Sequence, residues 1–241
     1  MTTSTFTVTA GDVRMERATN PCSSGTWAFG VRIKIVTYAN YGDAFGFFQS
    51  SSQFNMWEYD NTGGGRLVVN KQDDSGFAEN AIWTDARTTW NDLIAYTSGT
   101  NVVTEYRELG GSWTAGPTIA RPTVSGSPLA ATKMHVIFPS EFSADGNGTI
   151  RFAKIVIYKG TTTQSTLRAE MDSRSLLTST NVTFYNDCTG ASPNVENGSS
   201  GDGNFTLTGT PTSNADDPWS AAAASPIIIP QLRLPQSILA R

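Results

Sequence analysis

Along most of this chain, apolar side chains return at every second position, a repeat that a β-strand presents to one face and that a helix cannot bury. Residues 26–36 set the pattern, with Trp27, Phe29, Val31, Ile33 and Ile35 on one side. Strands are predicted again over 43–49, 54–60, 66–70, 90–97, 102–109, 133–138 and 149–158. Turn residues separate them: Asn61-Thr-Gly-Gly-Gly65, Ser98-Gly-Thr-Asn101, which reads as a hairpin connection, and Gly110-Gly111. The segment 149–158 alternates Ile150, Phe152, Lys154 and Val156 against Arg151, Ala153, Ile155 and Ile157. Apolar residues on both faces predict a central strand. One short helix is expected over 164–174, with Thr163 or Ser165 as cap and Leu167 and Met171 sharing a face. Phe205-Thr-Leu-Thr208 reads as the last strand.

Strands at short spacing with turns between them indicate a sandwich rather than βαβ units. The chain has 241 residues, 10% of them aromatic and only 16% charged, enough apolar material for one core between two sheets. The expected fold is all-β: a two-sheet antiparallel jelly-roll sandwich over residues 1–219, with one short helix, followed by an extended tail over 220–241. Several partner classes are disfavoured. A net charge of -4 without any Lys/Arg cluster argues against nucleic acid. No apolar run reaches the length of a membrane span. Residues 1–10 carry neither the basic nor the apolar region of an export signal, so the expectation is a protein that does not leave a cell by the general secretory route.

The tail differs in kind. Residues 226–241 hold seven aliphatic side chains, Ile227, Ile228, Ile229, Leu232, Leu234, Ile238 and Leu239, together with Pro226, Pro230 and Pro235. The prolines favour extended backbone. Burying each aliphatic side chain is worth roughly 1.5–3 kcal/mol, so the segment is expected to be held down. It either folds back over its own sandwich or docks on another subunit by adding a strand to an exposed edge; the composition change at the Ala-rich linker favours the second.

Catalytic chemistry is thinly represented. The single histidine, His135, lies inside a strand and reads as a structural residue rather than a general base. Glu58 and Asp60, at the spacing that puts two carboxylates on one strand face, are the one pair suited to a glycosidase; the plainer reading is an edge strand with acids at its surface. Glu170 and Asp172 share that spacing, but on a helix they would diverge. Trp57, Tyr59 and Trp83 are candidate stacking platforms for a sugar ring. Acidic turns at Asp73-Asp74 and Asp145-Gly-Asn147 have oxygens suited to calcium but read more simply as turns. Cys22 and Cys188 either form a disulfide tying the two ends of the domain or are two unpaired small residues. Zinc is not expected, and no cofactor is.

The segment Trp90-Asn-Asp-Leu-Ile-Ala-Tyr-Thr-Ser-Gly-Thr-Asn-Val-Val-Thr-Glu-Tyr106 resembles a strand pair of the concanavalin A-like, laminin-G-like superfamily. Ile150–Tyr158 followed by Leu167–Met171 is similar to the strand and short helix that close those domains, and Trp27–Ile33 to their early core strand. The likeness covers residues 5 to 219 in pieces. It implies a two-sheet jelly roll of the kind that binds glycans or proteins and sometimes hydrolyses β-glucans. The hydrolases' Glu-x-Asp-x-x-Glu strand is broken here, since Glu170-Met-Asp172 is followed by Ser-Arg-Ser. Such domains also occur among bacteriophage structural proteins. The expectation is therefore a non-enzymatic virion protein, assembled in the host cytoplasm: a capsid decoration or head-associated protein anchored by its tail on other virion proteins or copies of itself. The alternatives are a carbohydrate-binding module or a receptor-binding tail protein, with a β-glucan hydrolase ranked last.

Overall fold

The strands predicted from the two-residue repeat are present, and they build two stacked sheets. The computed structural model describes residues 3–8, 14–17, 26–38, 42–129, 131, 133–136, 148–189 and 203–219. In chain order the strands are β1 (Thr3–Val8), β2 (Arg14–Arg17), β3 (Trp27–Thr37), β4 (Gly42–Ser50), β5 (Gln53–Asp60), β6 (Arg66–Asp73), β7 (Gly76–Trp83), β8 (Asn91–Ser98), β9 (Asn101–Glu108) and β10 (Thr114–Ala120). The short hairpin β11 (Thr123–Val124) and β12 (Ser127–Pro128) follows, then β13 (Lys133–Val136) and β14 (Gly148–Lys159). Helix α1 (Gln164–Asp172), β15 (Val182–Asn186), β16 (Thr206–Thr208) and β17 (Thr212–Asn214) complete the described chain. Phe205 thus precedes a strand that is not the last.

The first sheet runs β10-β9-β8-β3-β14-β1-β17, and the second β16-β2-β13-β4-β5-β6-β7; all pairings are antiparallel. This is the two-sheet sandwich expected. The twelve-residue β14 is central: β3 pairs along one side, while β1 and β15 share the other. A register shift between Phe152 and Lys154 changes its facing. Ile150 and Phe152 point into the core, and after the shift Ile155 and Ile157 do so, which strict alternation does not predict. The hairpin β8–β9 closes at Gly99, whose φ of +57° suits a residue without Cβ.

Between the sheets lies an aromatic and aliphatic core that includes Trp27, Phe29, Phe45, Phe47, Trp57, Tyr59, Leu93, Phe152 and Phe184. A second cluster covers the outer face of the first sheet, where Leu167 and Met171 of α1 pack on Ala28, Ile94, Val156 and Tyr158. The helix starts at Thr163, whose hydroxyl accepts from the Thr166 amide at 3.2 Å. It lies so close to β3 that a Cβ on Gly30 would stand 2.7 Å from the Met171 sulfur.

Buried charges tie this helix down. Arg32 donates to both oxygens of Asp92 (2.7 and 3.0 Å) and to the Met171 carbonyl, and Arg107 bridges Asp92 to Asp172. Lys154, with no exposed surface, donates to the Glu170 carboxylate (3.1 Å) and to the carbonyls of Glu170, Ser173 and Ser175 (2.6, 2.8 and 3.3 Å). It thereby satisfies carbonyls that the end of a helix leaves without partners. The end of the described chain is fastened to the same face. Asp216 accepts from Lys34 (2.7 Å), Arg151 (2.8 Å) and Trp90 (3.2 Å), Asp217 pairs with Arg174, and the Trp219 ring lies 3.8 Å from the Arg32 guanidinium.

Residues 220–241, with Ile227, Ile228, Ile229, Leu232, Leu234, Ile238 and Leu239, lie outside the described residues, as do Cys22 and Asp145–Asn147. Cys188 is a free, fully buried thiol, and burial pushes its pKa well above the usual range.

Candidate functional site

The alternation of β5 decides which of its residues are available. β5 is not an edge strand: it lies between β4 and β6, so one of its faces closes the core. Trp57 and Tyr59 take that face and are 0% exposed. Trp27, Phe29 and Phe45 surround Trp57 at centroid distances of 5.5, 4.7 and 6.0 Å. Trp83, on β7, is 3% exposed and joins the same core. None of these three rings is a sugar platform. The aromatic residues point inward for the ordinary reason that apolar area leaves water, and the acids between them point out.

The outward residues are Phe54, Met56, Glu58 and Asp60, opposite Gln72, Asn70, Val68 and Arg66 of β6. Asp43 of β4 flanks Glu58 on the other side. Glu58 is only 7% exposed, and Asn70 donates to it at 2.8 Å. Burial pushes the Glu58 carboxyl up to about 7, reinforced by the negative charges of Asp60 and Glu79 and opposed by Arg66 and the Asn70 hydrogen bond. Asp60 is differently placed. Both its oxygens accept from Arg66 (3.0 and 2.8 Å), one also from the Thr62 amide (2.8 Å), and Arg66 continues to Glu79 at 2.7 Å.

Asn70 is 1% exposed, and its amide oxygen has no hydrogen-bond partner. Trp57 Nε1 and the Tyr59 hydroxyl are also without partners, but those atoms belong to core side chains between the sheets. Asn70 Oδ1 belongs to an outward residue beside a carboxyl group close to half-protonated at neutral pH. Together they offer one acceptor and one group able to accept or donate.

Buried apolar side chains adjoin them. Met56 sits opposite Asn70, and Phe54 stacks on Phe48 at 5.5 Å. His135, fully buried, packs on Phe48 at 4.5 Å over Gly46, where a Cβ would stand 2.5 Å from the imidazole ring. The rim holds Phe77, which is 57% exposed.

The other acidic candidates are engaged by the fold. Glu170 receives Lys154 and the amides of Leu177 and Thr178, while Asp172 diverges to Arg107. Burial alone would raise Asp73, but bonds from Ser75, Lys71 and the Thr123 amide hold it at about 2. Asp74 accepts from the Ser125 amide. Among the described residues no group of three or more His, Cys, Asp and Glu side chains comes together as a cation site. The Glu58/Asp60 spacing was the signal for this face. Asn70 carried none, because its neighbours come from pairing between strands.

No protein-family model matches the chain, and a search of curated proteins finds no match. Solved structures of like fold include a heptameric SAP-like pentraxin from Limulus polyphemus, at 12% identity over 85% of this chain and 89% of that one, with a TM-score of 0.53. A GH54 α-L-arabinofuranosidase soaked with 4-nitrophenyl α-L-arabinofuranoside matches at 14% identity over 70% of this chain and 40% of that one, with a TM-score of 0.54. A GH43 protein from Bacillus licheniformis matches at 13% identity and a TM-score of 0.40, over 53% of this chain; the chain spans about a quarter (26%) of that protein's length. At these identities the likeness establishes the β-sandwich, compatible with the concanavalin A-like architecture expected from the sequence.

Proposed function

We propose that this protein is a non-catalytic carbohydrate-recognition domain mounted on a larger assembly, and that the outward face of β4–β7 is its ligand face. The assembly that the sequence favours is a virus particle, with the domain as a capsid decoration. The observation that carries the recognition reading is the sheltered pair of Asn70 Oδ1 and Glu58. A buried acceptor without a donor costs about 1–3 kcal/mol, which a ligand hydroxyl recovers on binding. Neighbouring sugar hydroxyls supply donors at matching spacing, and the exposed Phe77 at the rim offers an apolar face that suits a sugar's C–H groups. An arabinofuranosidase among the structures of like fold lends the reading a precedent in carbohydrate chemistry.

The absence of catalysis is argued from Asp60. A glycosidase needs a second carboxylate free to act as base or nucleophile opposite the acid. Asp60 has both oxygens committed to Arg66 and the Thr62 amide. The mounting is argued from the last described residues, since Asp216, Asp217 and Trp219 fix the chain on the helix-bearing face, away from Glu58.

A glycan array tests the reading. The full chain should bind a restricted set of glycans, and Asn70→Leu should weaken binding at least tenfold while the protein stays folded. Silence across the array, or binding indifferent to Asn70→Leu, would overturn it. Product release from a β-glucan that disappears in Glu58→Gln would replace recognition with hydrolysis.

A further inference from the structure

A twisted open sheet has two edges, each a row of backbone groups able to pair with another chain. Counting β15, which pairs only with β14, the two sheets have five edges, and four are protected: on β15 the protection is burial of all five residues. On β10 the protection is Pro117 and a bulge between Ala115 and Thr118; on β16 and β17 it is their length of three residues. β7 is the exception. It is eight residues long, has no proline, pairs with β6 on one side, and exposes Phe77, Glu79, Asn80 and Ala81.

The sequence contains a segment patterned to fit such an edge. From Pro226 to Leu234 the even positions are Pro226, Ile228, Pro230, Leu232 and Leu234, and the odd ones Ile227, Ile229, Gln231 and Arg233. In a strand the N–H groups of one parity point to the neighbour and those of the other point away. With the odd positions turned to β7, both prolines fall where no donor is needed. The even side chains then form an unbroken apolar face. The new outer edge carries two prolines and cannot template a further strand.

The reach of the chain selects whose β7 is used. Trp219 lies over β3, and the path to the same molecule's β7 crosses β8, β9 and β10 and then rounds the flank to the second sheet. Three strand spacings, a step of at most about 8 Å from β10 to β7 and the height of Trp219 above the sheet come to about 27 Å. The seven steps from Trp219 to Pro226 span at most about 25 Å. We infer that residues 226–234 add as an edge strand to β7 of a second copy of this chain, so that copies are joined by tail exchange. The inference deepens the mounting half of the function proposed above and is independent of its carbohydrate half.

The test is the oligomeric state of the full chain by light scattering. The expected mass is at least twice the 25.9 kDa of one chain. It should fall to a single chain on deletion of residues 226–241 and in the double variant Phe77→Lys/Ala81→Lys. These two variants, when mixed, should associate, since one keeps the edge and the other the tail. The sharpest comparison is Ile228→Pro, which keeps the proline parity and should leave the assembly intact, against Ile229→Pro, which breaks it and should give monomers. A monomeric full chain, an oligomer that survives the deletion, or equal effects of the two prolines would overturn the inference. Glycan binding by the deletion variant reports on the carbohydrate reading separately.

Discussion

On the helix-bearing face of the sandwich, buried charge is matched by buried counter-charge: Arg32 and Arg107 with Asp92, Lys154 with Glu170. On the opposite face Glu58 is also buried, yet its direct partner is an amide whose own oxygen is left over. Both faces began as the polar side of an antiparallel sheet. One has been closed by a helix, and its buried charges are paired with one another, although Trp219 Nε1 there is without a hydrogen-bond partner. The other retains bonding capacity that only a donor from outside the described residues can use. Paired charges under a helix read as structural, and a buried carboxyl beside an acceptor without a donor reads as receptive.

Breaking the closed face should have the largest effect. Lys154→Ala would leave the Glu170 carboxyl buried without its counter-charge and the Ser173 carbonyl without a donor, so it should cost about 3–5 kcal/mol in denaturant titrations. Replacing both partners with Met should recover much of that loss. A cost below about 1 kcal/mol would remove the contrast between the faces.

On the receptive face the corresponding signature is pH dependence. The folded state holds the Glu58 proton up to about pH 7, whereas the unfolded chain releases it near 4.5. The resulting stabilisation is full below pH 4.5, falls as pH rises to about 7 and is absent above it. It amounts to about 3 kcal/mol. Comparing urea midpoints of the wild type and Glu58→Gln from pH 4 to 8 isolates this component, which the variant should lack.

Smaller effects separate ligand from fold. Asn70→Leu should cost about 1 kcal/mol of stability, against at least a tenfold loss of glycan affinity. Thr163→Ala removes the helix cap and should cost about 1 kcal/mol on thermal unfolding, leaving ligand affinity unchanged.

Much of the sandwich was legible because its signals are local. The repeat in β3, the turn between β8 and β9, and the cap and apolar pair of α1 each sit within a dozen residues of sequence. The facing of β14 was half legible, since nothing local announces the register shift at Ala153. The site was less so. Trp57 and Tyr59 are available only if β5 is an edge, and strand order is a long-range property that local sequence does not carry. Likewise, the shelter around Glu58 is assembled from Asp43, Asn70 and Glu79 on three different strands.

The fastening of Asp216 has a mechanical consequence. Its partners Lys34 and Arg151 sit opposite each other on β3 and β14, two of the longest strands of the larger sheet. A pull on the chain beyond Trp219 is therefore taken up in the middle of that sheet, as shear along long ladders. It does not simply peel the three residues of β17 from β1, and a domain towed from behind in this way keeps its shape under load.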